Sequence, residues 1–161
     1  MKLDENTVRE KLREVMDPEI PKLSVIDLGV ITGVYVDDEN IVSITMTPTF
    51  AGCPAVEYMK NDIKEKLSSL KAKEVKVNVN YDVQWNSNMI TDRGREMLKE
   101  SGFALAGKHN GLVQIELLQN VECPFCGSKN TELKSTFGPT QCRAIHYCKN
   151  CLQSFEQFKP V

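Results

Sequence analysis

The sequence lacks any apolar run approaching the roughly 18 residues that a membrane-spanning helix requires. Its first residues, MKLDENTVREKL, do not resemble a secretory leader, and the chain contains no internal repeat or low-complexity segment. Charge is nearly balanced, at 20 basic against 22 acidic residues, and residues 121–161 carry only five basic and three acidic groups. These absences predict a cytoplasmic protein with no membrane partner, and they argue against a nucleic-acid partner.

Cysteine is almost absent from the first 120 residues, where Cys53 is the only one, and five cysteines follow in residues 121–161. Thiols stay reduced in the cytoplasm, so cysteines in CxxC pairs favour metal ligation or redox chemistry over structural disulfides. The distribution therefore indicates two separate places where chemistry could occur.

Hydrophobic periodicity predicts the elements of the N-terminal part. A capping box at 7–10 begins a helix that Asp17 and Pro18 end. Strands at 30–36 and 41–47, both rich in β-branched residues, flank a short hairpin loop. The second strand alternates apolar and polar residues, which indicates one buried face and one polar face.

A second helix is predicted to begin at Pro54, because apolar residues then recur at helical spacing as far as Leu70. A strand at 75–79 follows and is expected to return parallel to the preceding strand through a βαβ crossover. The main domain is therefore predicted to be a small two-layer α/β unit with a mixed sheet, within an α+β fold.

The domain boundaries follow from the last predicted elements. A helix at 91–101, closed by Gly102, completes a first domain at 1–102. Residues 103–120 are interpreted as a linker, and residues 121–161 as a zinc ribbon.

The ribbon is predicted from two CxxC pairs separated by 21 residues. Each short loop directs two sulfurs toward one point, and four thiolates close a tetrahedral structural site that a small, weakly apolar segment needs in order to fold. A pair of dithiol redox sites, or an iron site of the same geometry, are the alternatives, and zinc is favoured because it suits soft tetrahedral sulfur sites. The predicted ligands are Cys123, Cys126, Cys148 and Cys151.

Two further residues of the ribbon, Cys142 and His146, could replace one of these ligands. Four cysteines already complete the coordination of zinc, however, and neither residue belongs to a CxxC pair. The favoured interpretation is that Cys142 is a free thiol that packs or lies near the surface, and that His146 is a packing or surface residue.

The lone Cys53 lies in the stretch TPTFAGCPA, just before the predicted second helix. If Pro54 is the first helical residue, the thiol occupies the N-cap, where free N–H groups and the helix dipole would favour a thiolate with a low pKa. The small residues Ala51 and Gly52 would leave the sulfur open to a metal or to a partner's thiol. The alternative is that a buried cysteine at a tight turn only packs.

Acidic residues near this stretch have both functional and structural interpretations. Asp17, Glu19 and Asp27 could orient a ligand or a partner's cationic group, or they could cap turns and be solvated. The single tryptophan, Trp85, is predicted to lie in the core or at an interface, because basic residues do not cluster around it.

Several motifs in order carry a family resemblance. DPEIP at 17–21, SVIDLGVI at 24–31 and TPTFAGCPA at 47–55 resemble the small iron-sulfur assembly domain of SufT and of the eukaryotic cytosolic cluster-targeting machinery. RGREMLKESG at 93–102 and CPFCGSKNTELKSTFGPTQC at 123–142, followed by the last CxxC, extend the likeness over nearly the whole chain. The chain thus resembles the PaaD family, which is associated with a multicomponent phenylacetyl-CoA epoxidase.

The resemblance implies a non-enzymatic accessory factor that helps to insert or repair the iron-sulfur cluster of the reductase component of that epoxidase. It implies that Cys53 binds iron or a cluster transiently, and that Cys142 matches a family cysteine. The surrounding motif is matched by Thr47, Thr49, Asp17, Glu19 and Asp27. One departure, NSNM at 86–89 after Trp85, concerns the partner surface and leaves the identity of the client enzyme open.

A single exposed thiol cannot hold a cluster alone, since four sulfur ligands are usual. The hypothesis of a cluster-assembly factor therefore predicts that a chain carrying a cluster forms a homodimer or a complex with its client. A nucleic-acid or protein adaptor built on the ribbon, with no cluster role, is the alternative, and a thiol-disulfide oxidoreductase is a third possibility. The weak positive charge of the ribbon argues against nucleic-acid binding, and tight stoichiometric zinc would exclude thiol exchange.

Overall fold

The computed structural model describes residues 2–110 and 115–160, and the chain divides into two compact units, Met1–Trp85 and Asn86–Val161. The first unit is built from helices α1 (Glu5–Leu12) and α2 (Ala55–Ser68) and strands β1 (Ile31–Val36), β2 (Ile41–Met46) and β3 (Glu74–Val79). Its sheet has the order β1-β2-β3, with β1 antiparallel and β3 parallel to β2. The predicted mixed sheet and the helical connection between parallel strands are confirmed.

The core of the first unit forms between this sheet and the apolar stripe of α2. Val42, Ile44 and Met46 alternate along β2 and are fully buried, as the period-two pattern predicts. The indole nitrogen of Trp85 donates to the carbonyl oxygen of Leu28 at 2.9 Å, and its ring is buried. Trp85 is therefore a core residue of the first unit.

The start of α1 differs from the predicted capping box. Asp4 is the N-cap, and its carboxylate accepts hydrogen bonds from the backbone nitrogen of Thr7 at 2.9 Å and from the Thr7 hydroxyl at 2.8 Å. A carboxylate at this position satisfies free N–H groups and complements the helix dipole, so it takes the role predicted for Thr7. The helix also ends earlier than predicted, at Leu12, although Val15 is still buried.

The second unit begins with a short 3-10 helix, Ser87–Met89, and continues with helix α3 (Asp92–Glu100) and strand β4 (Phe103–Leu105). A second 3-10 helix, Ile115–Leu118, precedes the strands β5 (Thr131–Ser135), β6 (Arg143–Cys148) and β7 (Ser154–Phe158). The sheet order is β4-β7-β6-β5, with β4 parallel to β7 and the other pairs antiparallel.

The boundary between the units, at Trp85 and Asn86, differs from the one predicted after residue 102. Part of the predicted linker forms β4, whose Ala104 is paired with Gln157 of β7. Strand pairing between residues more than 50 positions apart leaves no mark on local composition, which explains why the sequence predicts a linker at the position of β4. Residues 111–114 of the predicted linker lie outside the described residues.

Over the ranges that the structure describes, every helix is either too short or too polar to cross a bilayer.

Candidate functional site

Two backbone knuckles position the cysteines of the second unit. In the first, the nitrogen of Gly127 donates to the carbonyl oxygen of Cys123 at 2.9 Å, and Gly127 adopts a positive φ of 73°. In the second, Leu152 donates to the carbonyl oxygen of Cys148 at 2.9 Å, with a φ of 61°. Each turn brings two thiols to the same side of its loop.

The four thiols of these knuckles form a compact group, with all sulfur atoms within 4.8 Å of one another. The sulfur of Cys123 lies 3.7 Å from that of Cys151, and the sulfur of Cys126 lies 3.6 Å from that of Cys148. A tetrahedral zinc site with Zn–S bonds of about 2.3 Å places its sulfurs about 3.8 Å apart. The donor set and its spacing therefore fit Zn²⁺, and the sulfur–sulfur distances are too long for disulfides.

The metal-binding group is also part of the small core of the second unit. Cys123 and Cys148 are buried in an apolar cluster with Ala104, Val121 and Phe155. A metal ion held there would join the two knuckles across this cluster, which gives the site a structural role.

Sequence reasoning missed Asn150, which supports one ligand of this group. Its side-chain nitrogen donates to the sulfur of Cys126 at 3.5 Å. This hydrogen bond, with a second from the backbone of Ser128, lowers the pKa of the Cys126 thiol to about 6. The available signal was its position inside the second CxxC pair.

Cys142 and His146 lie outside the four-thiol group, which is the one set of potential metal ligands among the described residues. Cys142 is buried, and its sulfur lies 3.0 Å from the hydroxyl oxygen of Thr140. His146 is fully buried, stacks on Phe155 with ring centroids 5.3 Å apart and contacts Gln157. These contacts agree with the packing interpretation of both residues.

Cys53 lies one position further from α2 than predicted. Pro54 is the N-cap, with helical φ and ψ angles, and the helix begins at Ala55. The thiol is half-buried and accepts hydrogen bonds from the backbone of Ala55 and from the side chain of Thr49. Its position agrees with a partly accessible sulfur at the beginning of a helix.

The prediction of a low pKa for Cys53 is wrong. Burial raises the pKa of the Cys53 thiol, and the negative charges of Asp17 and Glu19 raise it further. The two hydrogen bonds act in the opposite direction but do not reverse the shift. The sequence pattern showed the helix terminus but not the depth of the sulfur or the approach of the two carboxylates.

The structure therefore brings Asp17, Glu19 and Thr49 close to Cys53. Asp17 also shapes the loop that carries it, because one carboxylate oxygen accepts hydrogen bonds from the backbone nitrogens of Glu19 at 2.8 Å and of Ile20 at 2.9 Å. This loop is the DPEIP segment, and its acidic groups set the electrostatics around the thiol.

Two other predicted site residues have structural partners. Asp27 is buried and accepts hydrogen bonds from the hydroxyl of Ser24 at 2.8 Å and from the guanidinium of Arg13 at 3.2 Å. The hydroxyl of Thr47 donates to the carbonyl oxygen of Val83 at 2.5 Å. These contacts explain the burial of both residues without a ligand, and a cargo-binding role for them stays a prediction.

Comparison with known proteins also distinguishes the part of the chain that contains Cys53 from the part that contains the four-thiol group. Residues 109–159 match a family model described as the PaaD zinc beta ribbon domain, and residues 5–79 match one described as an iron-sulfur cluster assembly protein. The chain is 36% identical over 150 residues to an Escherichia coli K12 protein named as a putative component of 1,2-phenylacetyl-CoA epoxidase, covering 93% of this chain and 89% of that one. The chain belongs to the PaaD family.

This PaaD family member also has shorter relatives that match its N-terminal part. An Fe-S protein maturation auxiliary factor of Porphyromonas gingivalis is 38% identical over 104 residues, which cover 64% of this chain and 94% of the relative. Among solved structures, a domain of unknown function from Bacillus anthracis superposes with a TM-score of 0.56 at 31% identity, covering 58% of this chain and 90% of that one. The resemblances to PaaD and to the assembly domain are both confirmed.

Proposed function

We propose that this chain is an accessory factor that assists the assembly or insertion of the iron-sulfur cluster in the reductase component of a multicomponent phenylacetyl-CoA epoxidase. The observation that supports this best is the partly accessible thiol of Cys53 in an assembly-type unit, fused to a PaaD ribbon whose own knuckle thiols form a separate group. The relatives are named as an epoxidase component and as maturation auxiliary factors. The chain acts in the cytoplasm and catalyses no step of its own.

The ribbon has a structural role in this proposal. Cys123, Cys126, Cys148 and Cys151 would hold Zn²⁺, and a bound zinc ion with four thiolate ligands offers no open coordination position for chemistry. The metal would instead stabilise the folded ribbon, because few apolar residues are available to do so.

Cys53 is the working thiol in this proposal. Its pKa is raised, so at neutral pH the sulfur carries a proton that it releases when a bond to iron forms. Competition between proton and metal makes such a ligand exchangeable, which suits transient binding. Thr49 donates a hydrogen bond to this sulfur, while Asp17 and Glu19 place negative charge beside it.

A cluster bound at Cys53 needs further ligands, because iron-sulfur clusters are normally held by four. They would come from the client, from a second copy of the chain, from a small thiol or from Cys142. A loaded chain is therefore expected in a complex or as a homodimer. Transfer is then ligand exchange: an Fe–S bond to Cys53 breaks, one to a client cysteine forms, and Cys53 regains its proton.

Anaerobic reconstitution with iron and sulfide, followed by visible absorption spectroscopy, tests the role of Cys53. The wild-type chain is expected to show the cluster absorption and Cys53→Ser to lose it, while Cys142→Ser reports whether Cys142 supplies one of the further ligands. Equal uptake by Cys53→Ser would remove this thiol from the mechanism and favour an adaptor without a cluster role.

A further inference from the structure

A surface groove in the first unit has no role in the proposals above. It lies between the loop that contains DPEIP and a partly exposed side of α2, and its volume is about 530 Å³. Its lining comprises Glu14, Met16, Asp17, Pro18, Pro21, Tyr58, Asp62 and Lys66.

The groove combines apolar walls with a regular helical stripe. Met16 is 36% exposed and Tyr58 is 57% exposed, which is high for large apolar side chains. Tyr58, Asp62 and Lys66 recur every four residues and therefore lie along one side of α2, next to its buried stripe, where Tyr58 is exposed and the other two are partly exposed. The groove presents apolar contact area with charged groups at defined positions.

The charge of the groove is predominantly negative, with three carboxylates against one ammonium group. Glu14 is paired with Lys11 at 2.7 Å, and Asp17 accepts hydrogen bonds from its own loop. Within the described ranges the carboxylate of Asp62 has neither a hydrogen-bond nor an ion-pair partner. This carboxylate can therefore pair with an incoming cation.

A bound metal ion does not fit this groove. Among the described residues, the group whose ligand atoms converge closely enough to hold a metal is the four thiols of the ribbon, and the groove carboxylates do not form a second one. A lysine or arginine side chain on an extended segment fits better, because it can reach one carboxylate while apolar neighbours contact Tyr58 and Met16.

We infer that this groove docks an extended segment of the client protein, with a basic side chain at Asp62 and an apolar side chain against Tyr58 and Met16. The inference rests on the proposed function, since the client is the iron-sulfur reductase of the epoxidase. Asp17 connects the two sites, because it lines the groove and also acts electrostatically on Cys53. A docked segment would thus lie beside the loop that shapes the thiol environment.

Calorimetric titration of the purified reductase into the full-length chain tests the groove. Asp62→Lys and Tyr58→Ala are expected to raise the Kd by about tenfold or more, since each removes a central contact. Glu57→Lys makes the same charge change on α2 outside the groove, and Tyr35→Ala truncates an exposed tyrosine of β1. Both controls should bind like the wild type, and all four variants should retain cluster uptake through Cys53.

The outcomes separate the inference from the function on which it depends. If the wild type binds the reductase and both groove variants bind equally well, the docking site is refuted while the accessory role stands. Failure of the wild type to bind contradicts the proposed client and the docking site together. Self-association of the chain that Asp62→Lys abolishes would identify a second copy as the occupant and overturn the inference.

Discussion

The side-chain oxygen of Gln157 lies 2.9 Å from Nε2 of His146, and both side chains are fully buried. Because the Gln157 amide nitrogen donates to the carbonyl oxygen of Leu117 at 2.9 Å, its oxygen must be the acceptor for the imidazole. Nε2 of His146 therefore carries the proton. This chain of hydrogen bonds ties β6, β7 and the second 3-10 helix together.

Replacement of Gln157 by leucine is expected to destabilise the second unit by roughly 1–3 kcal/mol, because it leaves a buried N–H and a carbonyl without partners. The measurement is chemical denaturation of the metal-loaded chain. Gln153→Leu, at an exposed position of the same segment, is the control. An unchanged unfolding midpoint for Gln157→Leu would show that the buried hydrogen bonds contribute little.

Removal of the metal should unfold the ribbon while leaving the first unit folded. With metal bound, at most two of the six thiols, Cys53 and Cys142, are expected to react with a thiol reagent. A chelator should expose all six and abolish the circular dichroism contributed by the ribbon strands. Six reactive thiols before chelation would contradict a closed four-sulfur site.

The reactivity of Cys53 should respond in opposite directions to two substitutions. Glu19→Gln removes a negative charge that raises the pKa of the thiol, so alkylation at pH 8 should become faster. Thr49→Val removes a hydrogen bond that lowers this pKa, so alkylation should become slower. Mass spectrometry of iodoacetamide-treated protein across a pH series measures both, and a shift of the same sign in both variants would refute the electrostatic account.

Asp27→Asn is expected to reduce the stability of the first unit by roughly 1–3 kcal/mol, since it weakens the buried contacts with Ser24 and Arg13. If the role of Asp27 is only structural, cluster uptake well below the unfolding temperature equals that of the wild type. Urea denaturation and anaerobic reconstitution on the same preparation separate the two effects. Loss of uptake in a fully folded variant would instead place Asp27 in the cargo site.

The sequence by itself determined the elements that depend only on residues close to one another along the chain. The alternation along β2, the helical stripe of α2 and the helix predicted at 91–101 depend on residues a few positions apart, and the structure contains all three. The two CxxC pairs are also local, because a knuckle of four residues orients its own sulfurs. The metal ligands could therefore be predicted without coordinates.

Tertiary structure alone decided the features that depend on distant residues. The pairing of β4 with β7 places residues 103–105 in the sheet of the second unit instead of in a linker, because hydrogen bonds between separated strands do not appear in local composition. The pKa of Cys53 is raised because the fold buries the sulfur and brings Asp17 and Glu19 toward it from a loop more than 30 positions away. Local pattern located this thiol at a helix terminus, and burial and charge, which only the folded chain creates, determined its protonation.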